Sequence, residues 1–330
     1  FSSVMSVDYG NSNEGSCERE LSDVESLLPD KNCLIRGKNY AFAIGRRIAR
    51  GRFGAVYEVL RQSDGKRFAA KLEVCDAHFH GLHLDYAVLN QASKANCKHF
   101  ISLIDRGKIE GHFKFVIMGM LGENLHKLRY MFVECRFSLS TALRVGIQCL
   151  AAIEELHSLG FIHRDVKASN FTVNIESSSP LNVYIIDFGL CRAFRNSQNE
   201  IKPARDKAQF RGTTRYASIT AHNEMEQSPR DDLESWFYML IEMISSQLPW
   251  GDLHRTERDE VKKMKENART HDGMQQLLKN CPKVEFRRIL KYLDGLTYQN
   301  QPDYSFLTQL LQLAMKNYGI KADEPYDWQD

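Results

Sequence analysis

The stretch His163-Arg164-Asp165-Val166-Lys167-Ala168-Ser169-Asn170, followed by Asp187-Phe188-Gly189, constrains this chain more than any other feature. Phosphoryl transfer asks little covalent chemistry of a protein. It needs a carboxylate to orient and deprotonate the acceptor hydroxyl, cations to neutralise phosphates, and oxygens to hold Mg²⁺. Asp165 can be that carboxylate, and Asn170 and Asp187 can be the hard oxygen ligands. Lys167, two residues past Asp165, can neutralise charge on the group in transit. The apolar run Val183-Tyr184-Ile185-Ile186 predicts a buried strand that delivers Asp187 at its end. A lone H-R-D or D-F-G tripeptide is a common accident of composition. The full H-R-D-x-K-x-x-N with D-F-G a short hairpin later is far more specific.

This is a protein kinase pattern, and its detail resembles the casein kinase I family. The resemblance is carried by Arg164 to Phe171, by Gly212-Thr213-Thr214-Arg215-Tyr216-Ala217-Ser218-Ile219 where most kinases have A-P-E, and by Arg230-Asp231-Asp232-Leu233-Glu234-Ser235. Within that family, Phe210-Arg211-Gly212-Thr213, Pro302-Asp303-Tyr304 and Tyr326-Asp327-Trp328 look most like the tau-tubulin kinase branch. The resemblance spans roughly residues 40 to 328. It implies an α+β, bilobal protein kinase fold: a small β-rich N-lobe over about 40–122 and a larger, mainly helical C-lobe over about 123–328. It also implies a serine/threonine kinase that uses ATP with Mg²⁺, Mn²⁺ substituting. The expected partners are proteins bearing Ser or Thr, among them acidic, already phosphorylated and cytoskeletal ones. The rival is a kinase-shaped, nucleotide-binding scaffold without turnover.

The same resemblance distributes roles along the chain. Ile48, Gly51, Gly54 and Val56 would form a glycine-rich loop over ATP phosphates, where absent side chains let backbone N–H groups approach. Ala49 stands at the expected first glycine, and taken alone the stretch suits an ordinary hairpin turn equally well. Ala69 and Lys71 follow on a strand, Lys71 reaching the α- and β-phosphates. The partner of Lys71 is expected on a helix over Leu82–Ala92. The family has glutamate there, whereas this chain offers Asp85, one methylene shorter; another acid in the role is the alternative. Met118, Met120 and Leu121 would line the adenine side of the hinge, with Gly119 where an acid is common. Asp165, Lys167, Asn170, Asp187 and Lys71 are the catalytic set, with Asn170 and Asp187 the metal ligands. Thr213 would bridge toward Asp165 and Lys167, and Asp232 would brace the catalytic-loop backbone. His163 reads as a packed histidine. Lys202, Arg205, Lys207, Arg211 and Arg215 form a cationic run that would favour acidic or primed substrates, with Arg215 the candidate anion site.

Apolar spacing from Leu143 to Leu156 predicts a helix over Thr141–Leu159 with Ser140 as N-cap. Trp236 to Ile244 is apolar nearly all round and predicts a buried helix ended by Pro249. Lys262-Lys263-Met264-Lys265 reads as a solvated helix face, and residues 284–318 as closing helices. Residues 1–39 are polar and read as a largely disordered tail, with helical spacing only over Leu21–Leu28. At 330 residues and 43% apolar composition the remainder can bury one sizeable core. A net charge of +2 argues against a nucleic-acid-coating protein. Eight cysteines without metal-ligand spacing point to reduced thiols in a cytoplasmic or nuclear protein. No apolar run reaches the length of a membrane span. The expected state is a monomer without membrane or nucleic-acid partners. The chain starts at Phe1, which leaves upstream targeting segments open.

Overall fold

A computed structural model describes residues 24–75, 81–174 and 181–329, arranged in two compact units. The expected tail up to residue 23, including the start of the Leu21–Leu28 pattern, lies outside the described residues.

The first unit runs to Asn96 and adds Phe100–Leu121 and Asp187–Gly189. Its six strands are β1 (Leu34–Arg36), β2 (Ala41–Arg50), β3 (Gly54–Arg61), β4 (Arg67–Val74), β5 (Leu103–Ile109) and β6 (Phe113–Met118). They form one antiparallel sheet in the order β1-β2-β3-β4-β6-β5. Alternate residues Phe42, Ile44, Val59, Ala70, Leu72, Phe115 and Ile117 point to one face and bury there. The sheet begins at Leu34, inside the segment assigned to the tail. Ile35 is buried opposite Phe42, so three residues of weak local pattern gain a strand from their neighbour. Helix α1 (Leu82–Lys94) follows β4. Gly81 offers it no capping side chain, so Glu73 of β4 accepts the N–H groups of Gly81 (2.7 Å) and Leu82 (2.9 Å) instead.

The second unit comprises Cys97–His99, Gly122–Ile186 and Leu190 onward, and is mainly helical. Its helices are α2 (Leu125–Tyr130), α3 (Leu139–Ser158), α4 (Ile219–His222), α5 (Pro229–Ser245), α6 (Arg258–Asn267), α7 (His271–Leu277), α8 (Lys283–Asp294) and α9 (Tyr304–Asn317). Four short strands, β7 (Phe161–Ile162), β8 (Phe171–Val173), β9 (Val183–Ile185) and β10 (Arg192–Ala193), pair as β7–β10 and β8–β9. α3 and α5 form the centre. The two pack closely at Gly146, where a Cβ would press on Leu240 Cδ1 at 2.8 Å and Trp236 Nε1 donates to Gly146 O at 3.0 Å.

Three expectations are corrected in this unit. α3 starts two residues earlier, capped by Ser138, whose hydroxyl accepts from Thr141 N; the Ser140 hydroxyl is used by Glu324 instead. α5 ends at Ser245, before Pro249, where the C-cap Ser246 takes a left-handed φ of 72°. Lys265 of α6 is not solvated but fully buried. No disulfide joins the described cysteines. No described helix is long and apolar enough to cross a membrane.

Candidate active site

In the first unit the strand register sets the side chains. Lys71 on β4 lies opposite Val56 of β3 and Val116 of β6, and Ala69 lies opposite Met118. Ala49 pairs with Val56 in the β2–β3 ladder, next to a shift in register between Arg47 and Ala49. Gly51 N donates to Gly54 O at 2.9 Å, closing the turn between Ile48 on β2 and the start of β3. Gly54 is sterically required, since a Cβ would fall 1.9 Å from Leu72 O. At Gly119, which precedes Met120 and Leu121, a Cβ would press on Ile101 Cδ1 at 2.8 Å, so a larger residue there would make Ile101 shift.

Lys71 Nζ lies 2.7 Å from Asp85 Oδ2 and 2.8 Å from Asp187 Oδ1. Burial acts to lower the Lys71 pKa, but the two carboxylates outweigh it and hold the ammonium above the ordinary lysine range. The shorter aspartate therefore does reach the lysine. Its other oxygen, Oδ1, accepts the N–H of Phe188 at 2.9 Å, and the Phe188 ring stacks on Phe100 at 5.4 Å. Glu73, the acid next to Lys71 on its strand, is committed to the N-terminus of α1. Asp187 has a left-handed φ of 65°, a sparsely populated conformation for a residue with a Cβ.

In the second unit the segment after β7 is held from below. Asp232, buried on α5, accepts His163 N at 2.6 Å and Arg164 N at 2.8 Å. It also bonds His157 Nε2 at 2.7 Å, and His157 Nδ1 meets the Tyr304 hydroxyl at 2.6 Å. Burial opposes ionisation of Asp232, but these donors dominate and lower its pKa. His163 is wholly buried, with Nε2 3.1 Å from Ile186 O. Arg164 takes a φ of 66° and donates to Leu190 O at 2.7 Å. Burial, with Arg192, Arg205 and Arg211 nearby, lowers its pKa to about 10.

Asp165 then meets three partners. Thr213 Oγ1 donates to Oδ1 at 2.7 Å, Lys167 Nζ lies 2.8 Å from Oδ2, and Lys167 also donates to Thr213 Oγ1 at 3.1 Å. Asn170 Nδ2 donates to Asp165 O at 2.9 Å, and none of the described residues donates to its Oδ1. Gly212 (φ 113°) allows the close approach, because a Cβ would lie 2.5 Å from Arg164 O.

The cationic run does not converge on one point. Arg215 is not an unengaged anion site: it pairs with Glu242 at 2.9 Å and donates to Gly251 O at 2.9 Å. Glu242 is itself buried against Arg129 and the Tyr216 hydroxyl. Arg205 pairs with Glu226, Lys202 donates to Ala193 O, and Lys207 lies 3.8 Å from Glu224. Acids further along the chain answer Arg205, Lys207 and Arg215, which local sequence could not reveal.

Among the described residues no cluster of three His, Cys, Asp or Glu is arranged for a metal. Asp187, in the first unit, carries a carboxylate and Asn170, in the second, an amide oxygen; each is the kind of hard oxygen donor that Mg²⁺ takes one or two of while phosphates and water complete its shell.

Residues 42–317 match the family model of the protein kinase domain. A probable serine/threonine-protein kinase of Dictyostelium discoideum is 36% identical over 296 residues, covering 90% of this chain and 57% of that protein. The serine/threonine-protein kinase spe-6 of Caenorhabditis elegans is 34% identical over 308 residues, covering 92% of this chain and 80% of its own length. The chain thus spans little more than half the length of the first of these relatives.

Proposed function

The chain belongs to the protein kinase domain family, and from that premise we propose that it is a serine/threonine kinase transferring the ATP γ-phosphate to protein hydroxyls. The observation that carries the proposal is the Asp165 carboxylate, buried and fixed by Lys167 and Thr213. Asp165 orients the acceptor hydroxyl and takes its proton. Lys167 neutralises charge on the transferring group. Lys71, held by Asp85 and Asp187, binds nucleotide phosphates, while Ile48, Gly51, Gly54, Val56, Ala69, Met118, Met120 and Leu121 hold the nucleotide. Asn170 and Asp187 would each offer an oxygen to Mg²⁺, which when bound would supply positive charge against that of the phosphates. Both relatives bear serine/threonine-protein kinase names, and Lys167 fits that substrate class. The finer placement, near the casein kinase I family and its tau-tubulin kinase branch, rests on the motifs at Gly212–Ile219, Arg230–Ser235 and Tyr326–Trp328.

Radiolabelled ATP with Mg²⁺ and casein tests the proposal. Asp165→Asn is expected to lower transfer about a hundredfold or more while nucleotide binding persists. Transfer by the mutant equal to wild type would overturn the assignment, and binding without transfer by the wild type would favour the scaffold reading.

A further inference from the structure

Lys265 lies in a run of lysines on α6, yet it is the one that leaves solvent entirely. Its Nζ donates to Thr214 O at 2.9 Å and to Ala217 O at 2.6 Å, and lies 3.1 Å from His222 Nε2. The rings of Tyr238 and Trp250 flank it, with centroids 5.2 and 5.4 Å away. Glu234, whose charge reaches it, is paired with Arg269 instead. Removal from water lowers its pKa well below the lysine range; its hydrogen bonds go to backbone carbonyls. His222 is kept neutral, its pKa lowered to about 3 by burial first and then by the nearby charges of Lys265 and Arg258. Burying an amine is costly unless its donors are matched, and here the matching groups are backbone carbonyls of a single turn.

That turn is Thr213–Ala217. Thr213 O accepts from Tyr216 N and Ala217 N, both at 2.9 Å, and Arg215 O accepts from Trp250 Nε1 at 2.8 Å. Lys265 takes the carbonyls of Thr214 and Ala217, on either side. The turn begins at the residue whose hydroxyl contacts both Asp165 and Lys167.

We propose that Lys265 is a positioning residue for the transfer reaction: by clamping the Thr213–Ala217 turn it keeps the Thr213 hydroxyl on Asp165 and Lys167, ordering the acceptor side without an added phosphate. The proposal rests on the kinase reading above. Its test uses the full chain with Lys265→Met, which keeps the stem and deletes the donors, and Lys265→Gln, which keeps two. For Lys265→Met, kcat/KM on casein is expected to fall about tenfold to a hundredfold, with KM for ATP within about twofold of wild type. Tryptic cleavage at Arg211 and Arg215 is expected to quicken about tenfold relative to cleavage elsewhere, because the turn opens locally. Lys265→Gln should recover part of both effects. Unchanged kcat/KM in Lys265→Met, or a loss accompanied by equally faster cleavage along the whole chain, would overturn the positioning role. If wild type transfers nothing to casein, the kinase reading falls and proteolysis alone decides: selective nicking at the turn supports the clamp, and uniform nicking removes it. Should Lys265→Met not fold, the Gln variant carries every measurement.

Discussion

Asp85 shows how one missing methylene can be absorbed. Its carboxylate is almost fully buried, with one oxygen on Lys71 and the other on the Phe188 N–H. Asp85→Asn keeps an acceptor for Phe188 but removes the charge that, with Asp187, holds Lys71. Misplacing that lysine is expected to cost about a hundredfold in kcat/KM, read from steady-state transfer to casein. Asp85→Glu restores the family's residue but adds a methylene inside a filled site. It is expected to destabilise the chain by about 1–3 kcal/mol, read as a lower thermal midpoint, with no gain in activity.

At the scale of elements, the N-terminus of α3 depends on the far end of the chain. Asp327 accepts from Ser138 N at 2.7 Å, from the Ser138 hydroxyl at 2.6 Å and from the Thr141 hydroxyl at 2.8 Å. A carboxylate suits the positive end of a helix dipole. Trp328 packs on Phe137, with ring centroids 5.4 Å apart, and Arg144 lies over the Tyr326 ring and donates to Pro325 O at 2.7 Å. Charge-assisted bonds of this kind contribute about 2 kcal/mol, so Asp327→Ala is expected to lower stability by about that amount, and Asp327→Asn by less. Urea unfolding of the three proteins measures the difference. Truncation before Glu324 is expected to cost more, because the aromatic packing on Phe137 leaves with the cap.

For the whole molecule, Asp231 imposes a pH dependence on stability. It closes the capping box of α5 by accepting Ser228 N, and burial raises its pKa to about 6 from an ordinary value of 3.8. An acid whose pKa is higher in the folded chain binds its proton more tightly there. Its contribution is present in full below about pH 4 and is lost as pH rises through about 6, on the order of 3 kcal/mol in all. Asp231→Asn does not titrate. The difference in thermal midpoint between variant and wild type is therefore expected to shift in the variant's favour between pH 4 and pH 6.5, and to stay flat above pH 7.

The catalytic segment, the strand before Asp187, the β-rich beginning and the helical remainder were legible in the sequence. Each is written in residues a few positions apart, and spacing within an element is a local property. Motif order likewise pointed to Lys71 and Asp85, though not to whether the shorter acid would reach the lysine. Partners distant in the chain were not legible. Glu242 on Arg215, Glu226 on Arg205 and Asp327 on Ser138 lie 27, 21 and 189 residues from the groups they meet. The same limit hid β1, which is a strand because β2 pairs with it, and Ser138, which is the cap because Ser140 is claimed by Glu324. It also hid Lys265, which by local pattern is one more surface lysine. Sequence determined which chemistry the chain carries and on which elements. Tertiary structure alone decided which charges remain available, because a charge is answered by whatever the fold brings within about 4 Å, and that distance carries no trace in the order of residues.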